Sequence, residues 1–128
     1  MISKETFEKL FLPGIIRECR HMDRCIYHLD GPQALRHLDR LLEIPEIQAI
    51  QWVPGAGREY WGNWIEVYQR IQSRNKALQV LSVPARDLPR LFEVLDPGGV
   101  WIGSVSGIAN QNEAEAALRL ISHWTRRQ

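Results

Sequence analysis

The sequence has few of the features that mark a specialised class of protein. Two cysteines, Cys19 and Cys25, are too few for a disulfide framework. No apolar run approaches the roughly 20 residues that a membrane-spanning helix needs, and the first residues lack a signal-peptide pattern. The 16 basic and 15 acidic residues leave a formal charge of +1, with no basic stripe. Neither a membrane nor nucleic acid is therefore an expected partner, and a cytoplasmic location is expected by default.

Short motifs for nucleotides and for serine nucleophiles are also missing. Neither Gly-x-Gly-x-x-Gly nor Gly-x-x-x-x-Gly-Lys-Ser/Thr occurs in the chain. No Gly-x-Ser-x-Gly elbow surrounds Ser104 or Ser106. A nucleotide-binding open sheet and a serine hydrolase are therefore the weaker options.

The composition that remains is that of one compact domain covering residues 1–128. Its residues are 45% hydrophobic and 24% charged, which allows a core and an ordinary soluble surface. Apolar residues recur at helical spacing from Ser3 to about Arg20, and Ser3 is a plausible N-cap. Pro13-Gly14 falls inside this pattern, so we expect the N-terminal helix to be kinked or divided there.

Beyond this helix the chain alternates between apolar runs and helical patterns. The predicted strands are Arg24–Leu29, Ile47–Val53, Ala77–Val83 and Val100–Val105. Their near-continuous apolar character is typical of parallel strands covered on both faces. The predicted helices that follow them are 32–43, 59–73, 87–95 and 113–124, the last with a capping box at Asn110–Glu113. Four such units predict an α/β fold, either a small doubly wound sheet or, as the missing nucleotide motifs favour, a (βα)4 half of a (βα)8 TIM barrel.

In parallel βα folds, active sites lie at the carboxyl ends of the strands. The candidates selected by this rule are His28, Asp30, Trp52, Gly55, Gly57, Ser82, Ser104 and Ser106. His28 and Asp30 lie two apart on an extended segment, so both point to one face and could act as an acid/base pair or as two ligands of a divalent metal. The competing interpretation is that Asp30 caps the next helix and His28 fills a polar barrel end.

The segment from Gln51 to Gly57 is the more distinctive one. Gly55 and Gly57 after a strand permit positive φ and close approach to a ligand, and Trp52 could form a flat apolar wall. A tight turn with a core tryptophan is the alternative. Trp61 and Trp64, spaced i and i+3 on the following helix, are expected to be packing residues. Ser104 and Ser106 are expected to be hydrogen-bond donors or polar filler rather than nucleophiles.

Three segments resemble the uroporphyrinogen decarboxylase superfamily. The run from Ser3 to Pro13 looks like the helix before the fifth strand, and 50–57 is similar to a segment in one branch of that superfamily. Tyr27-His28-Leu29-Asp30-Gly31 stands where its cobalamin-dependent methyltransferases carry His-x-Cys-Gly. The resemblance covers the chain but only the second half of a full-length member, which implies a half-barrel containing the fifth to eighth strands.

That resemblance implies zinc chemistry that the residues reproduce only in part. In the methyltransferases the His and Cys of the motif, with a Cys near the eighth strand, bind a zinc that activates a thiol for methyl transfer from a corrinoid. Here His28 matches, Asp30 replaces the first Cys, and Ser104 and Ser106 stand in the region of the third ligand. The arginines and aspartate of the decarboxylases belong to the other half of the barrel.

Three functional hypotheses follow. The chain is an enzyme half of the corrinoid methyltransferase type, with His28 and Asp30 catalytic or metal-binding and with zinc or a corrinoid protein as possible partners. Alternatively it is a non-catalytic half-barrel module whose exposed strand edges pair with a second copy, giving a homodimer, or with a complementary half. The third possibility is a truncated decarboxylase-like fragment without activity of its own.

Overall fold

The structure is a computed structural model that describes residues 2–126. Its α-helices are α1 Lys4–Thr6, α2 Leu12–Cys19, α3 Leu38–Leu42, α4 Ile65–Gln72, α5 Leu88–Val94 and α6 Gln111–Thr125. Its strands are β1 Ile26–Asp30, β2 Ala49–Val53, β3 Ala77–Val80, β4 Val83–Pro84, β5 Val100–Ile102 and β6 Val105–Ser106. The 3-10 turns Pro32–His37, Trp61–Trp64 and Ala85–Asp87 lead into α3, α4 and α5. No helix within residues 2–126 is both long and apolar enough to cross a membrane.

The N-terminal helical segment runs without a gap from Lys4 to Cys19 and contains a π-helical turn just before the predicted break at Pro13-Gly14. The hydroxyl of Ser3 accepts a 3.1 Å hydrogen bond from the Thr6 amide, which confirms Ser3 as the N-cap of α1. A π-helical turn, Phe7–Phe11, joins α1 to α2, and Pro13 lies in the first turn of α2. Proline is tolerated there because the first turn of a helix does not use that N–H.

The main sheet is parallel, and its strands follow the order of the chain, β1-β2-β3-β5. The predicted strands Ala77–Val83 and Val100–Val105 are each interrupted, and their second halves form the separate parallel pair β4-β6. The interruption coincides with Gly103, where a Cβ atom would lie 2.7 Å from the carbonyl oxygen of Leu81. Without a side chain at Gly103, the two broken strands can approach each other at this point.

Helices cover one face of this sheet. The strand residues at most 2% exposed on that side are Leu29, Ile50, Trp52, Leu78 and Val80. On the other face, Ile26 is 44% and Trp101 is 58% exposed, and His28 and Asp30 are also exposed. Sequential strands joined by right-handed crossovers place their helices on a single side. The expectation that both faces are covered is therefore wrong for residues 2–126, and we call the uncovered side the open face.

The helices form a row that extends beyond the sheet at both edges. Phe7 stacks on His37 with ring centroids 4.2 Å apart, which places the N-terminal helical segment beside the turn that leads into α3. An ion pair between Asp39 and Arg70 joins α3 to α4. Gln69 Nε2 of α4 donates a 3.0 Å bond to the Val94 carbonyl of α5. In residues 2–126, five helical segments in the order α1/α2, α3, α4, α5, α6 thus accompany the four strands of the main sheet.

The two ends of the row are held by core contacts. Phe92 stacks on Trp124 with centroids 4.7 Å apart, which fixes α6 against α5. Asn110 accepts a 3.0 Å bond from the Glu113 amide, and Glu113 in turn accepts from the Ala109 amide, so α6 begins two residues earlier than predicted. At the other end, the buried thiols of Cys19 and Cys25 lie 3.0 Å apart, and both are free.

Candidate functional site

A row of polar side chains crosses the open face from one strand to the next. The parallel register pairs His28 with Gln51 and Gln51 with Gln79. His28 Nδ1 lies 2.5 Å from Gln51 Oε1, and Gln51 Nε2 donates a 2.6 Å hydrogen bond to Gln79 Oε1. The row continues in register to the exposed Trp101. Three adjacent strands therefore build one hydrogen-bonded unit, which we call the polar row: His28, Gln51 and Gln79.

Exposure falls steadily along the polar row. His28 is exposed and Gln51 is half-buried, whereas Gln79 is only 7% exposed and is the one buried polar side chain in the part of the chain described. A buried amide is stable only when its polar atoms find partners, and Gln51 supplies one. The row is thus anchored in the sheet at Gln79 and presents His28 to the open side.

Asp30 shares the open face with His28 but does not contact it. Among residues 2–126, no hydrogen bond joins the two side chains, and the Asp30 carboxylate has no ion pair. The partner of His28 Nδ1 is thus Gln51 and not Asp30, the residue with which the sequence analysis paired it. Asp30 does not cap the next helix either, since Gly31 takes that position with φ 80° and without a side-chain bond.

Trp52 points away from the open face. It is 0% exposed and packs edge-on against Trp64, with ring centroids 5.0 Å apart. The prediction that Trp52 forms a ligand wall is corrected, because odd and even residues of β2 face opposite sides and Gln51 takes the open one. Trp61, 1% exposed, and the half-buried Trp64 are packing residues, as expected.

The loop after β2 has the backbone conformation that its glycines predict. Gly55 and Gly57 have φ of 85° and 77°, a region open to glycine at little cost. The Gly57 amide is already occupied, since it donates a 2.8 Å bond to Glu59 Oε1. Hydrogen bonds from backbone amides, first its own and then that of Gly57, lower the pKa of the Glu59 carboxyl. The loop is thus closed on itself by its own carboxylate.

The three serines do not converge on the polar row. Ser82 lies between β3 and β4, and Ser104 donates a 3.2 Å bond to the Leu81 carbonyl. Ser106 lies on β6 beyond the interruption, so it does not share one continuous strand face with Ser104. Ser104 thus has the hydrogen-bonding role predicted for it, within the sheet itself.

The residues described do not assemble the zinc ligands that the resemblance implies. Within residues 2–126, no group of three or more His, Cys, Asp or Glu side chains could hold a metal ion. Both cysteines are buried beside each other behind β1, where neither can join His28 on the open face. The donor set therefore reduces to His28 and Asp30, which does not fit a structural or catalytic zinc centre.

A cavity away from the polar row does not add a second candidate site. It has a volume of about 430 Å³, lies at the amino ends of the strands and is bordered by Gln48, Lys76 and Asp96. Lys76 Nζ donates to the carbonyls of Ile44 and Ile47 at 2.7 and 2.6 Å, so the ammonium group stabilises the fold through these two hydrogen bonds. The amino ends of parallel strands are associated with stability rather than with chemistry.

Two members of the polar row, Gln51 and Gln79, were absent from the residues selected by sequence. The rule used there chooses strand ends, whereas both glutamines lie in mid-strand. Gln79 did carry a signal, because it interrupts the apolar strand Ala77–Val80. Comparison with family models, with curated proteins and with solved structures gave no match for this chain.

Proposed function

We propose that this chain is one half of a (βα)8 barrel and that the polar row lines the interior of the closed barrel as part of a ligand-binding site. The observation that carries the proposal is the polar row on a sheet face that no helix of residues 2–126 covers. A parallel sheet is stable when both faces are shielded from water, so an open face with exposed Trp101 and Ile26 calls for a partner.

The strand order supports a barrel rather than a doubly wound sheet. In a doubly wound sheet the order reverses at a switch point and helices lie on both sides. Here the order is sequential and the helices lie on one side, which is the arrangement of consecutive units in a barrel. The open face then corresponds to the barrel interior.

The helix row favours a complementary half over a second copy. A closed barrel of eight strands carries eight helices. Two copies of this chain would bring ten helical segments. Where β5 of one copy pairs with β1 of the other, α6 of the first and α1/α2 of the second would compete for the same place over that strand pair. A half with four strands and three helices, on the same or another polypeptide, closes the barrel without that conflict. The homodimer expected from the sequence is therefore the second choice of partner.

The chemistry of the proposed site centres on His28. Across the six strands of the described chain, Asp30 is the sole acidic residue and Lys and Arg are absent, so one carboxylate lies on the open face beside the polar row. A corrinoid methyltransferase activity is the narrower proposal from the resemblance. It would require that the complementary half or a corrinoid protein supply the groups this chain lacks.

The test is to produce the chain alone and also together with the product of the neighbouring coding sequence. The mass of each sample is measured by light scattering. We expect the isolated chain to have the mass of a monomer, 14.9 kDa. In the assembly with the complementary half, we expect the edge amides of β1 and β5 to be protected from hydrogen exchange. Trp101→Glu, on the open face, is expected to abolish this protection. Met22→Glu is the matched control, because Met22 is 50% exposed but lies before β1, and it is expected to leave the protection unchanged.

Two results would overturn the proposal. One is rapid hydrogen exchange of the edge amides of β1 and β5 both in the isolated chain and in the chain expressed with its neighbour, which would indicate an open sheet. The other is a Trp101→Glu protein that assembles as well as the control. A dimer of the isolated chain with both edges protected would instead replace the complementary half by a second copy.

A further inference from the structure

We infer that Gln51 and Gln79 are positioning residues that hold His28 in the Nδ1–H tautomer and leave Nε2 as a hydrogen-bond acceptor for the ligand. The part of this inference that concerns a ligand depends on the proposed function. The tautomer itself is a property of the folded chain and can be measured without a partner.

The direction of the hydrogen bonds follows from the amides. Gln51 Nε2 donates to Gln79 Oε1, so the other end of the Gln51 amide is its oxygen. That oxygen is the atom facing His28 Nδ1 at 2.5 Å, and an amide oxygen can only accept. In the neutral ring, the proton therefore resides on Nδ1 and the lone pair on Nε2.

The surroundings of Gln79 favour this direction. The Nε2 atom of Gln79 lies on the Gly103 side, where the Leu81 carbonyl oxygen also borders Gly103. If both amides were reversed, an amide oxygen would replace that nitrogen near the carbonyl oxygen, which is unfavourable.

The tautomer determines which chemistry His28 can perform. A ring with its lone pair on Nε2 accepts a proton or a hydrogen bond from a donor such as a hydroxyl or an ammonium group. Asp30 lies two residues further along the same strand face, about 7 Å away at the ordinary strand rise. Both groups are acceptors, so the two together favour a ligand that carries donors over an anion.

The experiment is ¹⁵N NMR of the chain labelled at histidine, recorded at a pH of about 8.5, where an ordinary imidazole is neutral. The ring signals of His28 are assigned by their loss in His28→Ala, and His21, His37 and His123 serve as internal references. We expect the Nδ1–H form to be the major tautomer of His28. In Gln51→Leu, which removes the acceptor, we expect the Nε2–H form to become the major one, as in free histidine.

Two further variants separate positioning from a general change of structure. Gln51→Glu keeps an acceptor oxygen and is expected to keep the Nδ1–H form, whereas Gln79→Leu frees the Gln51 amide to rotate and is expected to give a mixture. A major Nε2–H form in the unmodified chain would overturn the inference, as would a Gln51→Leu spectrum unchanged at His28. If the tautomer is as expected but the barrel does not close, only the proposed function fails.

Discussion

Trp61 Nε1 donates a 3.0 Å hydrogen bond to Oδ2 of Asp87, so the tryptophan that begins the turn before α4 is fixed to the residue that precedes α5. Arg90, one turn further along α5, has its guanidinium carbon 5.9 Å from the centre of the Trp61 ring. Trp52 is equally buried, but within residues 2–126 its indole N–H has no hydrogen-bond partner. The two tryptophans can therefore be compared directly, because they are similarly buried and differ mainly in the hydrogen bond of the indole N–H.

Replacing each of these tryptophans by phenylalanine should have unequal effects on stability. Trp61→Phe loses ring volume and also removes the donor to Oδ2 of Asp87, whose other oxygen lies 3.8 Å from Arg86 Nε. Trp52→Phe loses ring volume but removes an unsatisfied donor. We expect Trp61→Phe to lower the free energy of unfolding by about 1–3 kcal/mol more than Trp52→Phe. Urea titrations of both variants, with Asp87→Ala as a third, measure the difference. Equal losses for the two tryptophans would contradict the role assigned to the Trp61–Asp87 bond.

The order of helices and strands could be predicted because two sequence signals, helical periodicity and short apolar runs, alternate along most of the chain. Buried positions such as Leu38 and Leu41 recur at helical spacing, and four apolar runs separate the helices, so element type and order could be inferred. The interruption at Gly103 could not, because it depends on the approach of the Leu81 carbonyl from a neighbouring strand. Likewise, the apolar strands suggested two covered faces, although one of those faces is open in this chain.

The candidate site was predicted less well, for a related reason. His28 was identified because it is a titratable residue near a strand end, but its partner was taken to be Asp30, two residues along the same strand. The structure gives it Gln51, which is 23 residues away and adjacent only through the strand register. Without the register, a sequence shows which residues share a strand but not which residues face one another across two strands.

Two glycine-to-alanine substitutions should have opposite effects. At Gly103 a Cβ atom would lie 2.7 Å from the Leu81 carbonyl oxygen, a backbone atom that cannot move aside alone. At Gly14, within α2, the added Cβ has no described atom within 4 Å apart from those of its chain neighbours and of its own helix backbone. We expect Gly14→Ala to raise the free energy of unfolding by about 0.5–1 kcal/mol because alanine loses less backbone entropy in a helix. We expect Gly103→Ala to lower it by about 1–3 kcal/mol, as overpacking does.

Thermal unfolding of the two variants beside the unmodified chain checks this prediction. A neutral or stabilising Gly103→Ala would show that the strands can separate at the interruption without cost. The Gly14→Ala variant then serves to show that the assay resolves changes below about 1 kcal/mol.

Lys76 provides a prediction about a half-buried cation. Its ammonium group donates to the Ile44 and Ile47 carbonyls, and desolvation lowers the pKa of Lys76 although Glu46 opposes this effect. Lys76→Met keeps the aliphatic stem but leaves two carbonyls without this donor. We expect a loss of about 1–3 kcal/mol in the free energy of unfolding, measured by urea titration. Lys9→Met, which removes a lysine with a side chain 70% exposed, is the matched control and should change stability little. Similar losses in both variants would mean that the two carbonyl contacts add nothing.

Alkaline pH should destabilise the fold, beginning with Cys19. Burial, with the neighbouring Cys25 thiol as the next cause, raises the pKa of Cys19 from 9.0 to about 11. The folded state thus holds a proton that the unfolded chain releases from about pH 9. The stabilisation is complete below pH 9 and is lost as the pH rises to about 11, with a slope of at most about 1.4 kcal/mol per pH unit for one group. Burial also raises the pKa of Tyr68 and Tyr27, which extends the loss to still higher pH.

Urea unfolding at pH values from 7 to 10.5, with and without Cys19→Ala, isolates this contribution. We expect stability to be level up to about pH 9 and then to fall, and we expect Cys19→Ala to begin its fall about one unit later, when the tyrosines titrate in the unfolded chain. The variant is compared by the slope of stability against pH, so the cavity left by the missing sulfur does not enter the result. The same slope in both proteins between pH 9 and 10 would mean that Cys19 titrates alike in the folded and unfolded states, which is incompatible with a thiol held 4% exposed beside Cys25.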